Sequence, residues 1–171
     1  MKILSIDPGY ERLGVAVIET KFAGQKKENL LFSDCITTSP KLPHHKRLLI
    51  IGEAVAEIIE TWQPEELAIE ALFFNDNQKT AILVAQALGV VAYEAARKNI
   101  PLFSYTPMQV KVAVTSYGRS NKSQVQSMVE RLIDVAPAKS RKDKHFKMLD
   151  DEYDAIAIGL THAASRGTVR R

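Results

Sequence analysis

The chain has 171 residues, 46% of them apolar, which suits one domain of ordinary size with a substantial core. Its formal charge of +3 identifies no partner, and a single cysteine, Cys35, excludes an intrachain disulfide and suits a reducing cytoplasm. With no apolar run that looks long enough to span a bilayer and no signal peptide, the expectation is one cytoplasmic domain over 1–171, without membrane contact.

In chain order, residues 2–7, 13–19 and 29–37 read as three strands. The second, Leu13-Gly14-Val15-Ala16-Val17-Ile18, is continuously apolar and so is expected inside a sheet covered on both faces. Phe22 to Glu28 reads as a polar hairpin connection. A helix is predicted over 44–62, where Leu48, Ile51, Val55, Ile58 and Trp62 recur at spacings of three and four, and Pro64 stops it. Leu67 to Phe73 is a fourth strand, and its place after a helix predicts a parallel crossover. A long helix over 77–98 carries small residues at Ala81, Ala85, Ala92 and Ala95 with Leu88, a face suited to close packing against the sheet or a symmetry mate. Leu102 to Tyr105 forms a brief fifth strand. Thr106-Pro107-Met108-Gln109 has the makings of a capping box with proline at the first helical position, predicting a short helix that ends near Tyr117-Gly118. Asn121 caps the next helix, which Pro137 ends, and a last helix runs over 151–164. The fold class expected is α/β, a mixed five-stranded sheet with an antiparallel edge and a parallel centre, helices on both faces.

Four carboxylates carry the chemistry. Asp7 closes the first strand and Pro8-Gly9 turn the chain directly behind it, a position suited to reaction rather than packing. Glu70 lies among Ala68, Ile69, Ala71 and Leu72, where an unpartnered charge is costly; it needs a metal, a cation or the sheet's carboxyl edge. Asp151 and Asp154 are three apart, hence adjacent on one helix face, near the positive end of the helix dipole. Brought together, four such groups repel unless cations neutralise them. Oxygen-only donors select hard ions such as Mg²⁺ or Mn²⁺, and a pair of these ions activates water against a phosphodiester. Basic residues flank the acidic pair, in the loop 136–150 and the tail 166–171. They read either as solvated segments or as a rim for phosphates.

The motifs resemble one family in order along nearly the whole chain. Ile6-Asp7-Pro8-Gly9 with Leu13-Gly14-Val15-Ala16-Val17-Ile18, then Leu67-Ala68-Ile69-Glu70 with Phe73, then Tyr105-Thr106-Pro107 with Val110-Lys111 and Lys122 to Val129, then Asp151-Glu152-Tyr153-Asp154-Ala155-Ile156-Ala157 with Thr161-His162, are similar to the four signatures of RuvC, the bacterial Holliday junction resolvase family. The resemblance implies a ribonuclease H-like fold and a homodimer that nicks a four-way DNA junction symmetrically, leaving 5′-phosphate and 3′-hydroxyl ends. It implies that Asp7, Glu70, Asp151 and Asp154 hold two Mg²⁺, with Mn²⁺ as substitute, and that Lys122 also acts in catalysis. Phe73 and Phe74 would meet DNA at the crossover, Lys111 and Lys122 would contact phosphates, and branch-migration motor proteins are further partners. Tyr10 stands where the family usually has a small residue, Leu13 where it has Thr, and Ser116 where it has Gly. The YqgF group, linked to ribosomal RNA processing, shares the opening motif but lacks the Lys122 to Val125 segment. A sugar-kinase or actin-type ATPase would need a second glycine-rich phosphate loop. A non-catalytic junction scaffold would have no reason to keep four mutually repelling carboxylates.

Overall fold

A computed structural model describes residues 1–20, 28–72, 78–135 and 148–169, with side chains described for these except 78, 79 and 167–169. Along the chain the elements are β1 (Lys2–Asp7), β2 (Arg12–Glu19), β3 (Asn29–Thr37), α1 (His44–Trp62), β4 (Glu66–Glu70), α2 (Gln78–Arg97), β5 (Leu102–Tyr105), α3 (Pro107–Thr115), α4 (Lys122–Leu132) and α5 (Asp150–Val169). The strands form one sheet in the order β3-β2-β1-β4-β5. The β1–β2 and β2–β3 pairs are antiparallel, and β4 pairs parallel to both β1 and β5. This is the mixed sheet expected, and the period of two along each strand divides the core into two layers. Leu4, Ile6, Leu13, Val15, Val17, Leu67 and Ile69 point to α1 and α2. Ile3, Ala16, Ile18 and Ala68 point to α3, α4 and α5.

Local chemistry explains most boundaries. Thr106 and Asn121 each form a full capping box, with Gln109 and Gln124 returning the bond. The third helix closes at Ser116, whose φ of 59° is left-handed, a conformation that favours glycine. Three expectations are corrected. The fourth strand ends at Glu70, not at Phe73. The fourth helix stops at Leu132, well before Pro137, because Asp134 pairs its backbone with Asn29 beside β3. The buried ridge of α2 is Ala87, Val91 and Ala95; of the small-residue face expected, only Ala95 is fully buried. Contrary to expectation, that helix is long and apolar enough over Thr80–Arg97 to cross a bilayer, and it packs alongside α1. The hairpin connection, Phe73, Phe74 and most of the basic loop lie outside the described residues.

The last helix lies directly on the sheet. A Cβ at Gly159 would sit 2.6 Å from Ile18 Cδ1 and 2.7 Å from Ser5 Oγ, and one at Gly14 would sit 2.0 Å from the Asp151 carbonyl oxygen. Only glycine at these two positions leaves room for the helix backbone. Glu152 is fully buried and pins the helix start: it accepts from Ser33 Oγ at 2.7 Å and from the Leu149 amide at 3.0 Å.

Candidate active site

Strand register brings the acids together. Asp7 pairs with Gly14, and Ile6 with Ile69, so Asp7 and Glu70 end two neighbouring parallel strands side by side. Gly14 is also where α5 rests, so the first turn of that helix delivers Asp151 and Asp154 to the same strand ends. The carboxyl edge of the parallel strands is where an α/β sheet ordinarily builds a site.

The electrostatics record the crowding. Asp7 is raised from 3.8 to about 8, by burial first and then by the charges of Asp154, Glu70 and Asp151. Burial and Asp154 raise Glu70, against the pull of Lys111. Asp154 is raised by burial although Lys122 opposes the shift. Besides Lys111, two protein cations in ion pairs offset part of this field. Lys122 Nζ lies 3.2 Å from Asp154 Oδ2 and 3.4 Å from Asp150 Oδ2, while the Arg12 guanidinium holds Asp151. A cavity of about 260 Å³ opens beside them, lined by Glu70, Lys111, Lys122, Asp154 and the apolar side chains of α3, α4 and α5.

The donor set fits hard divalent cations: it is all oxygen, it is self-repelling as it stands, and open space adjoins it. Among the described residues no three Asp, Glu, His or Cys side chains are already gathered around one point. Asp151 pairs with Arg12 and Asp154 with Lys122, and with Asp7 and Glu70 they are the residues that would hold such ions. The structure thus brings Asp7, Glu70, Asp151, Asp154, Lys111 and Lys122 to one place, with Phe73 and Phe74 outside the described residues.

Sequence reasoning missed the clamp on the loop after Asp7. Arg47 of α1 is buried, stacks its guanidinium 3.7 Å from the Tyr10 ring centre, and donates to Thr38 Oγ1 at 2.9 Å. Thr38 in turn donates to the Tyr10 carbonyl at 2.7 Å, and Tyr10 OH meets His44 Nδ1 at 2.7 Å. Tyr10 therefore has a purpose here that a small residue could not serve. The available signal was Arg47 standing four residues before Ile51 on the apolar stripe of α1. His162, named only as part of the fourth signature, is fully buried and bonds Glu66 Oε2 at 2.5 Å and Tyr105 OH at 2.6 Å, partners the sequence did not reveal.

Sheet order and acidic centre together define a ribonuclease H-like nuclease. The family model for crossover junction endodeoxyribonuclease RuvC matches residues 3–162, and the chain belongs to that family. A crossover junction endodeoxyribonuclease RuvC of Moorella thermoacetica is 42% identical over 164 residues, 96% of this chain and 92% of that protein. The Thermus thermophilus RuvC structure superposes with a TM-score of 0.82 at 34% identity, covering 98% of both chains. The same protein solved in complex with Holliday junction substrate gives a TM-score of 0.84 at 35% identity, over 98% of this chain and 97% of that one.

Proposed function

We propose that this nuclease resolves four-way DNA junctions by paired, metal-dependent nicks that leave 5′-phosphate and 3′-hydroxyl ends. The observation that carries the reading is the convergence of Asp7, Glu70, Asp151 and Asp154 at one sheet edge beside a cavity flanked by Lys111 and Lys122. The relatives named for crossover junction cleavage, and the relative solved with a Holliday junction, supply the substrate class.

Asp7, Glu70, Asp151 and Asp154 would hold two Mg²⁺, or Mn²⁺ in their place. Such ions supply an activated water and neutralise charge at phosphorus. The chain's own groups do the rest. Lys111 and Lys122 line the cavity and draw a phosphate toward the acids, which would otherwise repel it. The apolar walls from Val110, Val125, Ala157 and Ile158 restrict water around the reacting group. Phe73 and Phe74 follow Glu70 in the chain and would meet the bases at the crossover.

A homodimer suits a substrate with two equivalent strands. Along α2, Ile82, Gln86, Gly89 and Tyr93 form an exposed stripe at spacings of four, three and four, and open space surrounds Gly89. This stripe is the face we assign to the second copy. The same reading puts the protein in the cytoplasm with its DNA, where a branch-migration motor would supply mobile junctions.

The test is cleavage of a synthetic mobile junction, linear duplex and structured RNA, each with and without Mg²⁺. Symmetric nicks confined to the junction are expected. Asp7→Asn should lower the rate by at least about 10²–10³-fold while binding persists. Cleavage of RNA in preference to the junction would replace this reading with the ribosomal RNA processing activity of the YqgF group.

A further inference from the structure

Beside the catalytic cavity lies a second groove that the reaction as described leaves unused. It runs along α3 and the loop to α4, and it shares Pro107 and Lys111 with the cavity. Its floor is apolar and open to water: Met108 is 64% exposed, Val112 48% and Tyr117 58%. Arg119 closes one end; it is exposed and pairs with no carboxylate among the described residues.

The loop that presents Tyr117 is built, not loose. Thr115 Oγ1 bonds Ser120 Oγ at 2.5 Å and accepts from the Tyr117 amide at 3.2 Å. Ser120 Oγ donates to the Tyr117 carbonyl at 2.7 Å. Gly118 packs onto the helix so closely that a Cβ there would lie 3.2 Å from Met108 and 3.3 Å from Val112. Four interactions therefore fix the backbone that presents the Tyr117 ring to solvent next to two other exposed apolar side chains. An aromatic side chain on a fixed backbone binds a flat partner with less ordering cost than one on a loose loop. Its neighbours narrow the partner: cations at both sides suit phosphates, and an aromatic platform suits a base.

We infer that this groove is a nucleic-acid platform, in which Tyr117 receives the base and deoxyribose of a nucleotide next to the cleaved phosphodiester while Lys111 and Arg119 take the phosphates on either side of it. Continuity with the cavity sets the path: a strand whose scissile phosphate lies between Lys111 and Lys122 passes over Tyr117 at the adjoining nucleotide. The inference rests on the nuclease reading above and adds a substrate-gripping surface to it.

The test measures binding rather than cleavage. Fluorescence anisotropy with a labelled four-way junction, in EDTA and over a range of salt, compares the full chain with Tyr117→Ala, Tyr117→Phe and Arg119→Ala. Tyr117→Ala should weaken binding about tenfold and Tyr117→Phe should leave it near the original. Arg119→Ala should reduce the salt slope by about one. A 2-aminopurine next to the cleavage site should be quenched by the original chain and by Tyr117→Phe, and not by Tyr117→Ala. The loop's bonds come from Thr115, Ser120 and the backbone, so these variants keep the fold, which circular dichroism checks. Original-like binding and quenching by Tyr117→Ala would overturn the platform. So would unchanged junction binding with altered sedimentation, which assigns the patch to a protein contact. Failure of the unmodified chain to bind any junction is a different result and would end the nuclease reading itself.

Discussion

Arg12 and Lys122 stand over two of the four acids, and they are not equivalent. Lys122 also lines the cavity, whereas Arg12, at the start of β2, pairs with Asp151 and also bonds Cys35. An ion that needs Asp151 must compete with Arg12. Both partners are partly exposed, so water screens the pair and an ion can displace it. Arg12→Leu should therefore tighten Mn²⁺ binding a few-fold in DNA-free protein, as followed by electron paramagnetic resonance of the free ion. An unchanged or weaker affinity would show that Arg12 does not compete for that carboxylate. The acids themselves were legible as residues, because Asp7 closes an apolar strand, Glu70 lies among apolar neighbours, and Asp151 and Asp154 stand three apart at a helix start. Arg12 was not, because a charged residue at the exposed start of a strand looks like any solvated side chain until the helix start arrives beside it.

At the scale of elements, the site depends on how closely α5 lies on β2. Gly14 is the contact, and its absent side chain is what brings Asp151 and Asp154 level with Asp7. Gly14→Ala should lift the helix start. We expect a stability loss of about 1–3 kcal/mol by chemical denaturation, together with a loss of cleavage larger than the unfolded fraction explains. Full activity in a stable Gly14→Ala protein would show that the helix start has slack. The elements were largely readable: the strands and helices fall within a few residues of their expected places, since apolar periods and capping boxes are local. The misplaced boundaries have non-local causes. The fourth helix ends where Asp134 bridges to Asn29, a partner far away in the chain. The buried ridge of α2 is chosen by where α1 lies, and small residues on several faces left that choice open.

At the scale of the whole molecule, one buried polar chain ties the far end of α5 to both parallel strands beside it. His162 Nε2 meets Glu66 of β4, Nδ1 meets Tyr105 of β5, and Arg166 closes on Glu66 at 2.5 Å. Burial lowers the His162 imidazole below its ordinary 6.5, although Glu66 pulls the other way. The unfolded chain then takes up a proton near pH 6.5 that the folded chain refuses. Stability is present above that value and is lost as pH falls through about 6.5 toward the lower folded value. Melting temperature should thus drop between pH 7 and pH 5, and His162→Gln should flatten that dependence even if it lowers stability throughout. An equal slope in the variant would place the acid sensitivity in other groups.

The sequence by itself determined the kind and order of the elements and the mixed sheet, and it offered the four acids as candidates, because apolar period, capping and charge spacing are all properties of neighbours in the chain. Only the tertiary structure decided that Asp7 and Gly14 share a register, that Arg12 and Lys122 stand over Asp151 and Asp154, and that Arg47 clamps the loop between the first two strands. Each of these joins groups brought together by the fold across turns or long stretches of chain. Their energies depend on distance and burial, which no local pattern encodes.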